Sequence, residues 1–526
     1  MPTLHFKGKS FVQNHHLAVP YHELVPNKSK SLTKKVSLHD NLIIHGDNLR
    51  ALKALLPTYA SKIKCIYIDP PYNTGNEHWA YNDNVNSPMM QEWLGKVVDR
   101  EDLTRHDKWL CMMMPRLKLL RELLREDGSI FVQIDGTESA HLKMLMDEIF
   151  SEVNYRNRIS WLRSSSGKTV SRNLPEDTDD IYWYSKTNSY TYSPVYKALS
   201  DKTRATYDKN DNDGRGTYAS VSVQKTGSPG PQTTYDYVDN SGKVWKCPIK
   251  GYRMNQKKMK QLENDNRLIL TGKVIREKSY WKERANEGQI ANDFWYDIPN
   301  LQGSQPEKID FTGQKPTALL KRILNMVVQK DDIVLDSFAG TGTTAQATLA
   351  LNKEDGGNRK FILVEMEDYA DKITAERVRR VSKGVPKAKD EAFKKGLGGT
   401  FSYFELGEPI ELESILSGDR LPAYEELARY VFYTATGEEF DEKAVDAKRG
   451  FIGTSKDYDV YLLYKPDLDY LKKTALTLEF ARGLGKARGG RRRLVFAPTK
   501  YLSQEHLDEF RIDFAQLPFE IYRLAR

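Results

Sequence analysis

Two short stretches of this chain combine residue types that do chemistry. The first, Ile66 to Asn76, reads I-Y-I-D-P-P-Y-N-T-G-N, an apolar run that stops on Asp69-Pro70-Pro71-Tyr72. Proline has no backbone donor and fixes φ, so a strand cannot continue through Pro70-Pro71. Asp69 is therefore expected at the carboxyl end of a buried strand, ahead of a stiff loop tipped by an aromatic ring. Open α/β sheets bind ligands at that edge. The carboxylate accepts a hydrogen bond from an exocyclic amine, and Tyr72 offers its face to an extruded base. A strand ending in an ordinary proline turn is the alternative, and four residues alone do not choose between them.

The second stretch is Ser337-Phe338-Ala339-Gly340-Thr341-Gly342, between an apolar strand ending on Asp336 and a helix. A glycine turn there lets a ligand approach the backbone and meet the helix N-terminus. Glu365 follows Gly340 by 25 residues, at the end of the next strand, where an acid can accept the hydroxyls of a ribose. That pairing describes adenosine cofactors in general. A phosphate-binding loop is disfavoured because no Gly-Lys-Ser or Gly-Lys-Thr occurs here, while a dinucleotide remains open on spacing alone.

The elements that must position these stretches alternate between strand and helix. Strands are expected at 42–45, 63–68 and 129–134, helices at 49–56, 109–125 and from about Thr137, a plausible N-cap, to Phe150. The pattern returns with a helix opened by Pro316, a strand at 333–336, a helix to Leu351, a strand at 361–364 and a helix over about 369–381. Such alternation predicts an α/β fold with a largely parallel sheet. Between the two halves lie about 150 residues of short aromatic strands and polar turns, which suggests an inserted domain. The first 37 residues read as an arm in which His15-His16 lacks helical ligand spacing and is expected on the surface. From about residue 400, strands at 460–464 and 494–497 suggest a small α/β accessory domain, with a mobile Gly/Arg-rich loop at 481–493.

Of the 526 residues 39% are hydrophobic and 29% charged, an ordinary soluble composition. No apolar run approaches the roughly 18 residues that span a bilayer, and the N-terminus does not read as a secretory signal. Cys65, Cys111 and Cys247 show no paired spacing, so neither a disulfide framework nor a metal site is expected, and a cytoplasmic protein fits. The net charge of +8 is concentrated: Ser241 to Arg284 holds 13 Lys or Arg against 4 Asp or Glu. Aromatic residues interleave with these cations. Trp245, Arg253, Lys257, Lys258, Tyr280 and Trp281 are therefore the expected nucleic-acid contacts, and a solvated basic face is the alternative.

Together these parts resemble the amino-methylating DNA methyltransferases that use S-adenosylmethionine. Asp69-Pro70-Pro71-Tyr72 matches their catalytic tetrapeptide and Phe338 to Gly342 their F-x-G-x-G loop. Gln314-Lys315-Pro316 with Leu319 to Ile323 matches the helix before that loop. Catalytic motif, insertion and cofactor loop follow in the order of the β group, and the whole looks most like the modification subunit of a type III restriction system. Phe311-Thr312-Gly313 departs from the family pattern ahead of Gln314. The resemblance implies a circularly permuted Rossmann-like methyltransferase sheet, divided as an arm (1–37), a catalytic half (38–160), a target recognition domain (161–304), a cofactor half (305–399) and an accessory domain (400–526). It implies S-adenosylmethionine held by Phe338, Gly340, Gly342, Asp336 and Glu365, with Lys315 near the methionine carboxylate and Asp47 bordering the adenine. Asp69 and the Pro70 carbonyl would accept the hydrogens of an adenine amine in double-stranded DNA. A homodimer and a restriction subunit are the implied partners. Cytosine-N4 methylation, RNA methylation, an inactive DNA-binding subunit and a nicotinamide dehydrogenase are the alternatives.

Overall fold

The computed structural model describes residues 3–74, 104–164, 174–301, 313–384, 386, 394–410, 421–485 and 490–517. The chain forms two compact units, one of residues 1–193 with 293–526 and one of residues 194–292.

The larger unit is built on ten strands, numbered along the chain: β1 (His22–Pro26), β2 (Leu42–His45), β3 (Ile63–Ile68), β4 (Leu124–Ile134), β5 (Tyr155–Leu162), β6 (Thr178–Ser185), β7 (Phe294–Trp295), β8 (Ile333–Asp336), β9 (Lys360–Glu365) and β10 (Ser402–Pro409). They lie side by side in the order β1-β10-β2-β9-β8-β3-β4-β6-β5-β7. The six from β10 to β4 are parallel. Parallel strands buried on both faces read as continuous apolar runs, and every residue of β3 is buried. Each isoleucine in it contributes about 1.5–3 kcal/mol through burial.

The order of the strands decides the position of the site. β8 and β9, far along the sequence, insert between β2 and β3, and Val334 and Leu335 of β8 pair with Cys65 and Ile66 of β3. Asp336, which ends β8, and Asp69, which follows β3, therefore emerge at one edge of the sheet. The N-cap Asp47 starts the helix Asn48–Tyr59 after β2 by accepting from Arg50 N at 3.0 Å. The next residue, Asn48, donates to Ser337 O at 3.1 Å and so ties that helix to the glycine loop.

Several boundaries differ from those expected. The helix starting near Trp109 spans Arg105–Leu123, opened by a Thr104–Asp107 capping box, and the chain turns extended at Leu124 rather than at Ser129. The next helix is Ser139–Phe150 with Glu138 at the N-cap; Thr137 instead donates its backbone N–H to Asp135. The expected helix over 369–381 opens with a π-helical segment, Ala370–Ala375, before Glu376–Lys383. His16 is buried, not on the surface, and burial lowers its pKa to about 4. The arm contributes β1, an edge strand antiparallel to β10. Nor does the chain beyond residue 400 stand apart: β10 belongs to the main sheet, and Leu427, Val431 and Phe432 share its apolar core. A separate four-stranded sheet follows, Phe451–Thr454, Tyr458–Leu462, Arg492–Ala497 and Ile512–Gln516. Among the described residues no helix is long and apolar enough to cross a membrane.

The smaller unit is residues 194–292, narrower than the expected insertion of 161–304, because β5, β6 and β7 hydrogen-bond into the main sheet. Its four-stranded antiparallel sheet includes Thr217–Ser222 and Arg276–Tyr280. Tyr237, Trp245, Tyr252 and Met259 form its core.

Candidate active site

β3 ends at Ile68, where the prolines forbid further pairing, and the loop that follows is held from several sides. The indole of Trp109, fully buried, donates to Pro71 O at 2.7 Å. Asn73 adopts a left-handed backbone, φ 61°, and its side-chain amide donates to Glu138 Oε1 at 2.6 Å and to Arg105 O at 3.1 Å. Glu138 is wholly buried and also meets Nδ1 of His106 at 2.7 Å and of His141 at 2.8 Å. These three are the one set of metal-ligand types drawn together among the described residues. Both imidazoles turn Nδ1 onto the carboxylate, so here the set braces Asn73.

Above this support the predicted residues converge. Asp69, Pro70, Pro71, Tyr72, Lys315, Asp336, Phe338 and Gly340 line one cleft. The Tyr72 hydroxyl lies 2.8 Å from Asp69 Oδ1 and 3.0 Å from Asp179 Oδ2. The Lys315 ammonium hydrogen-bonds Asp69 Oδ2 and stands 5.3 Å from the centre of the Tyr72 ring. Burial raises the Asp69 pKa above the ordinary carboxylate value, while Lys315 pulls the other way.

The glycine loop is drawn tight by carboxylates. Asp336 accepts from Phe338 N at 3.1 Å and from the Thr344 hydroxyl at 2.5 Å, and burial pushes its pKa up to about 7. Gly340 has φ +50° and open space where a Cβ would stand, whereas a Cβ on Gly342 (φ +78°) would meet Val378 at 3.2 Å. The first glycine faces the cleft, and the second, which begins the helix Thr343–Asp355, permits the close approach of the helix Glu376–Lys383 that carries Val378. Glu365 is wholly buried; it accepts from Gly340 N at 2.7 Å and Glu367 N at 3.1 Å, and burial pushes it up to about 8.

Three of the residues expected at the cofactor have protein partners of their own. Glu365 does not line the cleft; its oxygens hold the backbone of the glycine loop. Lys315 contacts Asp69. Asp47 also lies off the cleft wall, capping its helix with Arg116 3.4 Å away. Glu138, Asp179 and Thr344 were missed, because single polar residues inside apolar patterns carry no motif. The one local signal was the i, i+3 spacing of Glu138 and His141 on one helical face.

In the smaller unit the predicted nucleic-acid contacts separate into two groups. Trp245 is 5% and Tyr280 1% exposed, so neither presents a ring face to a base. The Trp245 indole donates to Asp239 at 2.8 Å, and the Tyr280 hydroxyl meets Asp211 and Asp213. Trp245 fills the small core with Tyr237, Tyr252 and Met259, whereas the Tyr280 ring packs beside Tyr218, 5.7 Å between ring centres, and under the Arg215 guanidinium at 4.6 Å. Arg253 is exposed but paired with Glu277 at 3.0 Å. Lys257 and Lys258 are exposed on the helix Gln256–Asn264, which buries Met259 and Leu262 instead. Trp281 is half-buried against Tyr207, 5.2 Å between ring centres.

The sequence profile of a family described as DNA methylase matches residues 63–376, spanning both motifs and the segment between them. The type III restriction-modification enzyme StyLTI Mod subunit of Salmonella typhimurium is 31% identical over 444 residues, covering 77% of this chain and 66% of that protein. The EcoP15I Mod subunit of Escherichia coli is 28% identical over 463 residues, covering 74% and 70%. The type II methyltransferase M.KpnI of Klebsiella pneumoniae is 30% identical over 374 residues, covering 65% and 84%. The chain thus spans just under two thirds of the length of the Salmonella relative.

Proposed function

Because the chain belongs to the DNA methylase family, we propose that it transfers a methyl group from S-adenosylmethionine to the exocyclic amine of adenine in double-stranded DNA, as the modification subunit of a type III restriction-modification system. The observation that carries this reading is the single cleft shared by Asp69 to Tyr72 and by Phe338 to Gly340. A methyl donor and an acceptor amine must meet within one such space.

The chain's own residues fit the cofactor. A glycine backbone open to the cleft admits close approach, and the rings of Phe338 and Tyr72 supply apolar surface beside it. Phe338, Gly340 and Asp336 would hold S-adenosylmethionine, which when bound supplies an electrophilic methyl carbon. An adenine amine is a poor nucleophile because its lone pair is delocalised into the ring. Asp69 and the Pro70 carbonyl accept its two hydrogens, which localises the pair and aims it. Tyr72 stacks on the flipped base. In this structure the Lys315 ammonium is the N–H donor on Asp69 Oδ2, the place an amine would take, so Lys315 must give way as the base arrives. Transfer is direct and relies on orientation and electrostatics. Cys65 and Cys111 are buried, and burial raises both thiols, Cys111 to about 12, which suits core residues rather than nucleophiles. The exposed lysines of residues 194–292 contact DNA phosphates. A restriction subunit and a second copy of the chain complete the assembly.

Labelled methyl transfer to genomic DNA, followed by nucleoside analysis, tests this with the wild type and Asp69→Ala. Label in N6-methyladenine and a loss of about 10³-fold in the variant are expected, in line with removal of a key electrostatic group. Label in N4-methylcytosine overturns the base assignment, and undiminished transfer by the variant removes Asp69 from the mechanism.

A further inference from the structure

We propose that Asp179 receives the proton released by methylation, relayed from Asp69 through the Tyr72 hydroxyl. The inference rests on the methyl-transfer reading and extends it to residues outside the tetrapeptide.

The geometry is unusual for a packing contact. One hydroxyl, with one proton and two lone pairs, stands 2.8 Å from Asp69 Oδ1 and 3.0 Å from Asp179 Oδ2. It can donate to only one carboxylate at a time, so it can accept from one and donate to the other. Asp179 is itself fixed. Its Oδ2 also accepts from Gln133 Nε2 at 2.8 Å, and Gln133 Oε1 accepts from the Tyr67 hydroxyl at 2.6 Å, which sets the amide with its nitrogen toward Asp179. A buried carboxylate normally has both oxygens hydrogen-bonded. Asp179 is 1% exposed, yet its Oδ1 accepts no hydrogen bond among the described residues. Arg163, 3.4 Å from that oxygen and 30% exposed, marks the side nearest solvent. The other titratable or charged groups facing Asp179 are Asp69 with its partner Lys315, Tyr67, and Asp135 at the end of β4.

The chemistry requires such an outlet. When the amine's lone pair forms the N–C bond, the nitrogen carries one proton too many. That N–H bond breaks and an O–H bond forms on Asp69, leaving a neutral amine and a neutral acid. The proton arrives on Oδ2, where the amine sits; rotation of the Asp69 carboxyl turns that O–H to the side facing Tyr72, and Asp69 then gives its proton to the Tyr72 oxygen while the Tyr72 hydroxyl gives its own to Asp179 Oδ2. The net change is one proton moved from Asp69 to Asp179, with no oxidant or reductant, and Asp69 is again an anion able to accept the next amine. Loss of the proton to water on the Arg163 side restores Asp179. Burial raises the Asp69 pKa, which makes a transiently protonated Asp69 accessible. Asp179 is thus a positioning and proton-accepting residue that acts through Tyr72.

The test uses the full chain and a duplex carrying the site mapped on wild-type-modified genomic DNA, with 2-aminopurine at the target for base flipping. Asp179→Asn keeps a hydrogen-bonding group beside Tyr72 but cannot accept a proton there; Tyr72→Phe keeps the stacking ring. Each is expected to slow steady-state turnover by about 10²-fold, the scale of a lost proton transfer, and the double variant to be no slower than the slower single. Cofactor affinity and 2-aminopurine fluorescence of Asp179→Asn stay at wild-type values, and Asp179→Glu recovers at least part of the rate. Losses that multiply in the double variant, or fluorescence falling in step with rate in Asp179→Asn, overturn the relay. If the wild type moves no methyl group to DNA, the underlying reading fails first, and the two failures are distinct.

Discussion

Residues 194–292 hold 19 Lys or Arg and 11 Asp or Glu, a net charge of +8, while the rest of the chain holds 61 of each and is neutral. The whole charge excess of the protein therefore lies in the smaller unit. The larger unit keeps its telling charges inside: Asp69, Asp179, Asp336 and Glu365 are set among backbone N–H groups, hydroxyls and one ammonium, and burial raises the first, third and fourth. In the smaller unit Tyr237, Trp245, Tyr252 and Tyr280 turn inward and lysines such as Lys257 and Lys258 face water. Charge buried and hydrogen-bonded in a sheet edge serves local chemistry. Charge displayed on a small core creates a field that reaches into solvent.

Three measurements sharpen or break this contrast. The largest effect is expected from Lys257→Glu with Lys258→Glu. DNA binding should weaken by about tenfold to a hundredfold near 0.1 M salt, and the slope of log affinity against log salt should fall by about 2, one for each phosphate no longer neutralised. S-adenosylmethionine affinity should not change. Unchanged DNA binding would show that the exposed charge of this helix is not the part used.

Tyr280→Phe should give a smaller effect of another kind. It removes the hydroxyl that meets Asp211 and Asp213, so the smaller unit should lose about 1–2 kcal/mol of stability. DNA affinity, measured below the unfolding temperature, should hold. A loss of affinity without loss of stability would return Tyr280 to the nucleic-acid interface.

The third measurement concerns Glu365. Its folded pKa, raised to about 8, lies above the unfolded value of about 4.3. The neutral acid is thus favoured in the fold; its contribution is complete below the unfolded value and is lost as pH rises through about 8. Ligand-free wild type should therefore melt lower at pH 8.5 than at pH 5. Glu365→Gln should narrow that gap by about 2–4 °C for each kcal/mol of the titration removed. An unchanged gap would mean that Glu365 is ionised throughout and that its carboxylate is better solvated than its burial implies.

Much of the site was legible because its motifs are local. Pro70-Pro71 ends a strand wherever it occurs, and Gly340 and Gly342 are needed at positive φ, so both loops were placed at strand ends without coordinates. The parallel strands declared themselves as apolar runs flanked by helical periodicity. Partners of single polar residues did not. Nothing near Glu138 in the sequence points to Asn73, and Asp179 lies at the start of a strand whose pairing with β4 and β5 was not foreseen.

The aromatic and basic segment shows the same limit. Composition stated that cations and rings alternate there, but which of them faces water depends on which side of each short element is needed to fill a core. The sequence by itself determined the strand–loop–helix units, the two chemical motifs and the location of the charge. Tertiary structure alone decided that β8 and β9 insert between β2 and β3. It also decided that Lys315 rests on Asp69, that Glu365 binds the glycine loop, and that Trp245 and Tyr280 are buried. The physical reason is range: prolines, glycines and periodicity act within a few residues, whereas burial and hydrogen-bond satisfaction are settled between residues brought together by the sheet.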